Sequence, residues 1–288
     1  MIGAAYAQLS AVSYGVSDFV GGVASRRAAA LRVMLVTYPV ATVLLGVMAA
    51  TAGGPVHSGA LLWGSLYGIS QAIGVYWFYA AVSAGPISVV SPLAAVLNAA
   101  VPVAVGVALG ERPGQIASVG VVLAMFAVIL VSRESPADED VRTHRFTSKV
   151  AWLTVGSGVA FGLDFVLLHQ APAECRLWPL FFARAAATVL VFAVAAMSNN
   201  LQLPTRTPLR LAVAAAVLDT CANITMLLAI QKWMLSLASI LISLYPATTV
   251  ILAIIVLRER LTRWQALGMI LAPVSVSMIA ATRHDRRY

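Results

Sequence analysis

The sequence predicts an all-α integral membrane protein: ten transmembrane helices forming two inverted five-helix repeats around a central cavity. Three observations lead there. The chain has 288 residues, is 60% hydrophobic and only 10% charged, and its mean hydropathy is +0.89. A water-facing surface needs roughly a quarter of charged residues, so an ordinary soluble domain is excluded. Its apolar runs fall into ten lengths near the roughly 20 residues that cross about 30 Å of hydrocarbon as a helix. The chain is also written twice. Glu111-Arg112 closes one apolar stretch, and Glu259-Arg260 closes another 148 residues later. Ala81/Ala229, Ser88/Ser236, Ser91/Ser239, Leu93/Leu241, Gly120/Gly268, Leu123/Leu271 and Val128/Val276 match at the same offset.

Apolar runs punctuated by Gly, Pro and charge predict spans near 3–24, 32–51, 58–80, 86–108 and 113–132. The second set is expected near 150–170, 177–197, 209–229, 235–257 and 263–282. The polar segment 133–149 is the linker, so the first repeat is 1–132 and the second 150–282, followed by a basic tail at 283–288. Five is odd, so a second copy enters the membrane from the opposite side. The repeats are then related by a pseudo-two-fold axis in the membrane plane, as in many transporters. A hidden extra span in one copy would make them parallel instead.

The formal charge is +8 and the pI near 10.0. Nucleic acid is not the expected partner, because the basic residues lie between apolar segments and in the tail, with no run and no interleaved aromatics. They read as anchors to anionic headgroups, worth about 1 kcal/mol each near the surface. No cleavable signal stands out at the N-terminus. Cys175 and Cys221 are far apart and offer neither a metal spacing nor a disulfide framework, which leaves both as small apolar fillers. The side bearing the N-terminus carries seven basic residues, with Arg184 counted among the flanking ones, and the other side twelve. By the positive-inside rule this split weakly favours termini outside the cytoplasm.

Pro39, Pro92, Pro102, Pro246 and Pro273 fall within spans, where each removes a helical hydrogen bond. Pro92 and Pro246 both lie in the fourth helix of their repeat, at places suited to gating or to a plain packing kink. Tyr67, Tyr76, Trp77, Phe78 and Tyr79 make the third span aromatic, and Trp63, Trp152, Trp178, Trp233 and Trp264 sit near span starts like an interfacial belt. Lys232 is expected to snorkel. Glu111-Arg112 and Glu259-Arg260 are read as interfacial ion pairs fixing tight turns.

Ionisable groups within spans cost about 2.5–3.5 kcal/mol each on insertion scales, so the few present are candidates. Asp18 shares a helical face with Ser10, Ser13, Tyr14, Ser17 and Gly21. It reads as a cavity or coupling residue, or as an edge carboxylate paired with Arg26 or Arg27. Asp164 lies in the sixth span, five residues before His169, and the Gly15/Gly162 match puts it on the helix related to that of Asp18. Asp219 and Asn223 are one helical turn apart in the eighth span, and the 148-residue offset sets Asp219 opposite Gln71. Two related helices thus aim polar groups at matching places, as a site at the repeat interface requires; interhelical hydrogen bonding is the alternative. Asn98 and Tyr245 are further candidates at related depths. Tyr14, Tyr76 and Tyr79 are candidate aromatic contacts.

No HExxH, no GxSxG elbow and no Gly-rich phosphate loop ending in Lys is present, so neither an enzyme, a cofactor nor a metal site is expected. Uphill transport would then draw on an ion gradient. Asp18, Asp164 and Asp219 make the proton the simplest coupling ion, and facilitated diffusion stays open.

AAVSAGPISVVSPLAAV followed by ALGERPGQIASVGVVLAMFAVILVS, and AIQKWMLSLASILISLYPATTVILAIIVLRERLTRWQALGMILA in the second half, resemble the EamA-type branch of the drug/metabolite transporter superfamily. The opening YGVSDFVGGVASRR also fits, so the resemblance covers the chain apart from linker and tail. It implies ten helices in two inverted repeats that move small metabolites, often outward; amino acids, nucleosides and cationic drugs are among the substrates of such families. It also implies a cavity lined by helices one, three, four, six, eight and nine, which here would include Asp18, Gln71, Asn98, Asp164, Asp219, Asn223 and Tyr245. The aromatic third span invites comparison with the aromatic amino acid exporters of the group, without a residue-by-residue match to their site. Both termini are implied to be cytoplasmic, in a bacterial inner membrane, against the charge count; we take the resemblance as the better guide. The expected partners are a small-molecule solute, membrane lipids and protons, with a monomer sufficient. Efflux of cationic compounds and a dry membrane scaffold are the competing readings.

Overall fold

A computed structural model describes residues 2–25, 27–84, 87–131, 147–257 and 262–280. Among these residues the fold is helical, with no strand. Eleven helices run in order: α1 (Ile2–Ser25), α2 (Ala30–Ala52), α3 (Ser58–Ala84), α4 (Ile87–Ala108), α5 (Gln115–Val131), α6 (Ser148–His169), α7 (Trp178–Met197), α8 (Thr207–Lys232), α9 (Leu235–Ile242), α10 (Tyr245–Leu257) and α11 (Arg263–Ala280). Among the described residues, five stretches are long and apolar enough to cross a membrane: Leu31–Ala52, Ser148–His169, Trp178–Met197, Thr207–Lys232 and Leu235–Val256. Leu93–Ala108 and Gln115–Val131 are shorter apolar helices. The remaining three, α1, α3 and α11, pack against α8, α6 and α5 respectively.

Large apolar side chains such as Val47, Leu62, Phe126, Val189, Ile255 and Ile270 are exposed on the outside. In water such a surface would be unstable; in lipid it is the solvent-facing side. Inside, alanine, glycine and serine let the helices approach closely. Most of the linker, Glu259-Arg260 and the basic tail lie outside the described residues.

The packing is reciprocal. α1 lies along α8 as α6 lies along α3, α2 touches α8 as α7 touches α3, and α9 and α10 lie on α1 as α4 lies on α6. The same exchange holds atom by atom. Gly120 on α5 abuts Met278 and Ile279 on α11, while Gly268 on α11 abuts Leu130 and Val131 on α5. A Cβ at Gly15 would come 2.6 Å from the carbonyl oxygen of Tyr245, and one at Gly162 3.0 Å from that of Leu97. Tyr245 and Leu97 are themselves 148 residues apart. Where α2 meets α7, the hydroxyls of Thr42 and Thr188 are 2.9 Å apart.

Three expectations need correction. The span 235–257 is two helices. Pro246 has no N–H to donate and its ring excludes the carbonyl of Ile242, so α9 ends at Ile242 and α10 begins at Tyr245. By contrast α4 stays continuous across Pro92 and Pro102. Glu111 is not confined to a turn: its carboxylate accepts the Leu235 and Ser236 N–H groups at 2.5 and 2.9 Å and the Ser236 hydroxyl at 2.5 Å. It therefore caps α9, satisfying N–H groups that have no partner inside the helix. Cys175 is buried as expected, but Cys221 is exposed on α8.

Candidate functional site

A cavity of about 790 Å³ lies between the helices. α1 supplies Tyr14, Ser17 and Asp18, α3 supplies Tyr67 and Gln71, and α4 supplies Asn98. Asp164 comes from α6, Arg184 from α7, Asp219 from α8 and Tyr245 from α10. Phe78, Phe161, Phe165, Met226 and Ile242 add apolar wall. The lining reaches helix ends at Ser25, Val33, Val131 and Gln265, all on the side where α1 ends and α6 begins. On the opposite side the described contacts are tight: Gly3 abuts Trp233, and Glu111 holds the start of α9.

The best-defined cluster joins α2, α3, α7 and α8. Arg184 is only 4% exposed. Its Nη1 donates to Gln71 Oε1 at 2.6 Å, and its Nη2 is 2.7 Å from Asp219 Oδ2. The guanidinium lies 5.4 Å from the centre of the Tyr38 ring, a cation–π distance. Gln71 Nε2 in turn donates to the Tyr67 hydroxyl at 3.4 Å, and that hydroxyl donates to Asn223 Oδ1 at 2.6 Å. Asn223 Nδ2 donates to the Asp219 carbonyl at 2.7 Å. Gln71 and Asp219, paired by the repeat offset, are thus bridged by one cation.

Nearby, the Tyr14 hydroxyl reaches Met226 Sδ at 3.6 Å, and the Tyr14 and Tyr245 rings are 6.2 Å apart. Asp164 is 6% exposed and its Oδ1 has no hydrogen-bond partner among the described residues. Asp18 is exposed into the cavity, and no basic side chain pairs with it or with Asp164 among the described residues. A buried guanidinium, three carboxylates and an apolar wall can hold a small solute that is partly charged and partly greasy.

Of the residues expected from the sequence, Tyr14, Asp18, Gln71, Asn98, Asp164, Asp219 and Tyr245 line this cavity. Asn223 is fully buried behind the wall and acts through Tyr67. Tyr76 is 62% exposed and is not among the lining residues. The side chain of Tyr79 lies outside the described residues. Arg184, Tyr38 and Tyr67 also line the site, beyond the candidates that the sequence offers. Arg184 is the clearest correction: counted as a membrane-flanking charge, it is a central residue of the cavity. Its signal was present, since FFARAAATVLVF has no other polar residue beside it except one threonine.

Outside the spans, a short 3-10 turn at Ala173–Cys175 brings Cys175 Sγ to 3.3 Å from His57 Nε2, and His57 to 3.5 Å from Glu174. Burial pushes the Cys175 thiol above its ordinary range, and the Glu174 carboxylate adds to the shift.

Fold and site together define an integral membrane protein with a polar cavity enclosed by packed helices. Residues 148–281 match the model of the EamA-like transporter family, so the chain carries a domain of that family. Members of that family are transporters rather than enzymes, of the drug/metabolite type. A solved crystal structure of a protein shares the fold at a TM-score of 0.72 and 16% identity, over 98% of this chain and 99% of that one. No curated protein matches the sequence.

Proposed function

We propose that this chain is a secondary transporter that exports small organic metabolites, amino acids or related amphipathic solutes, by alternating access. The observation that carries the reading is the Gln71–Arg184–Asp219 bridge in the wall of the cavity. It joins two helices that the repeat makes equivalent, at the place where a shared solute site is needed. The reciprocal packing of α1 on α8 and α6 on α3 supports two inverted five-helix repeats, 1–132 and 150–282, joined by 133–149. A dry scaffold would have no use for a cavity of this size. With both termini in the cytoplasm of a bacterial inner membrane, the cavity's helix-end lining faces outward, and a monomer suffices.

Purified protein in liposomes, screened against mixed amino acids, nucleosides and organic cations with and without a pH gradient, tests this. Release of a defined solute class is expected, and its loss when Asp219 and Gln71 are both replaced. Intact flux in a folded variant lacking both side chains would remove the site from the reading. A second reading, proton-coupled efflux of cationic compounds, is favoured by Asp18 and Asp164, which face the cavity without a basic partner among the described residues. Competition between protons and organic cations would select it; zwitterion flux without such competition would count against it.

A further inference from the structure

Arg184 holds one well-formed hydrogen bond, from Nη1 to Gln71 Oε1. Among the described residues its Nη2 is near Asp219 Oδ2 but not aligned to donate to it, and Nε has no acceptor; both nitrogens are shielded from water. The unsatisfied groups are together the Nε–Nη2 edge of the guanidinium. That edge presents two parallel N–H groups whose spacing matches the two oxygens of a carboxylate. Leaving it unmade in a buried site is costly, because each unpaired donor forfeits its hydration. Asp219 occupies one end of the edge and does not complete it.

We propose that the Nε–Nη2 edge of Arg184 is the carboxylate-binding subsite of the cavity, where the carboxylate of a solute displaces Asp219. This rests on the reading of the cavity as the solute site. Displacement frees Asp219, so the cavity then presents three carboxylates, Asp18, Asp164 and Asp219, to the rest of the solute. Those groups favour a solute that also carries an ammonium and oppose a lone acid. Asp164 Oδ1, buried and unpartnered among the described residues, is the acceptor for that ammonium. The subsite therefore selects solutes bearing both charges over simple amines, and simple acids least.

Isothermal titration of the full-length protein in detergent tests this with phenylalanine, phenethylamine and 3-phenylpropionate, which share one apolar body. Phenylalanine is expected to bind at least roughly tenfold tighter than phenethylamine, and 3-phenylpropionate weakest, the gain expected of a bidentate charged pair. Arg184→Lys keeps the charge that Asp219 needs but loses the fork, and should bring the phenylalanine-to-phenethylamine ratio close to one. Should that variant not fold, the double variant Arg184→Gln/Asp219→Asn removes both charges together and is read by the same ratio. An unchanged ratio in a folded variant, equal binding of phenylalanine and phenethylamine by the wild type, or binding of none of the three overturns the proposal. The liposome screen separates the two failures: amine flux with no carboxylate preference leaves the transport reading standing, whereas absence of flux for every solute brings that reading down.

Discussion

Tyr38 and Gln71 lie on α2 and α3, Arg184 and Asp219 on α7 and α8, and the 148-residue offset relates Gln71 to Asp219. The first pair is neutral and the second is an ion pair, yet all four meet in one cluster. The two sets of helices thus pack reciprocally while differing in charge at the centre. The fourth helix diverges in the same way. α4 is continuous, whereas its counterpart is broken into α9 and α10, with the Ser243 hydroxyl buried at the break and lacking a partner among the described residues. The two sets of helices pack alike and differ in the charges and the helix break that they bring to the cavity.

Four experiments break or sharpen this comparison. Asp219→Asn leaves the buried Arg184 without its counter-charge and should cost about 3–5 kcal/mol in detergent unfolding. Gln71→Leu removes only a neutral acceptor and should cost about 1–2 kcal/mol. Equal losses would mean that the two sides are energetically alike. Gly15→Ala drives a Cβ into the Tyr245 carbonyl, and should cost about 1–3 kcal/mol by overpacking. Gly162→Ala should cost less, because the backbone carbonyl it approaches, that of Leu97, lies 3.0 Å away against 2.6 Å for the Tyr245 carbonyl at Gly15. Thermal unfolding of the two variants reads that difference directly.

Pro246→Ala removes the reason for the break, so α9 and α10 should join into one helix. Stability should rise by about 1 kcal/mol for the regained hydrogen bond while solute flux falls, since the hinge is lost. The same change at Pro92, in the continuous α4, should alter flux little. The smallest effect concerns Cys175. Its thiol is buried and its pKa raised, so the reactive thiolate is scarce at neutral pH and maleimide labelling should increase only above the ordinary thiol range. Rapid labelling at neutral pH in the folded protein would show that the Ala173–Cys175 turn opens.

Much of the architecture was legible in the sequence because membrane helices announce themselves by length and apolarity, and the 148-residue offset links Gln71 to Asp219 without any structure. The site was legible only in part. Arg184 sits six residues after Trp178, close enough to a span start to pass for an anchor, and only packing shows that α7 carries it inward. Tyr67 looked like one of several aromatics in the third span, yet it is 1% exposed and passes hydrogen bonds between Gln71 and Asn223. The break before Pro246 could not be read from proline alone, since Pro92 leaves α4 whole. Glu111 marked the repeat, but its partner is a helix start 124 residues away, a contact that spacing cannot reveal.

The central claim is that two related sets of helices alternate around the Arg184 cluster. Electron-spin distance measurements in liposomes test it most directly, with labels at Ser25 and Gln265 on one side and at Leu109 and Trp233 on the other. Saturation with the solute that the screen identifies should shorten the Ser25–Gln265 distance and lengthen the Leu109–Trp233 distance. Distances unchanged at both ends under conditions that support flux would contradict the account.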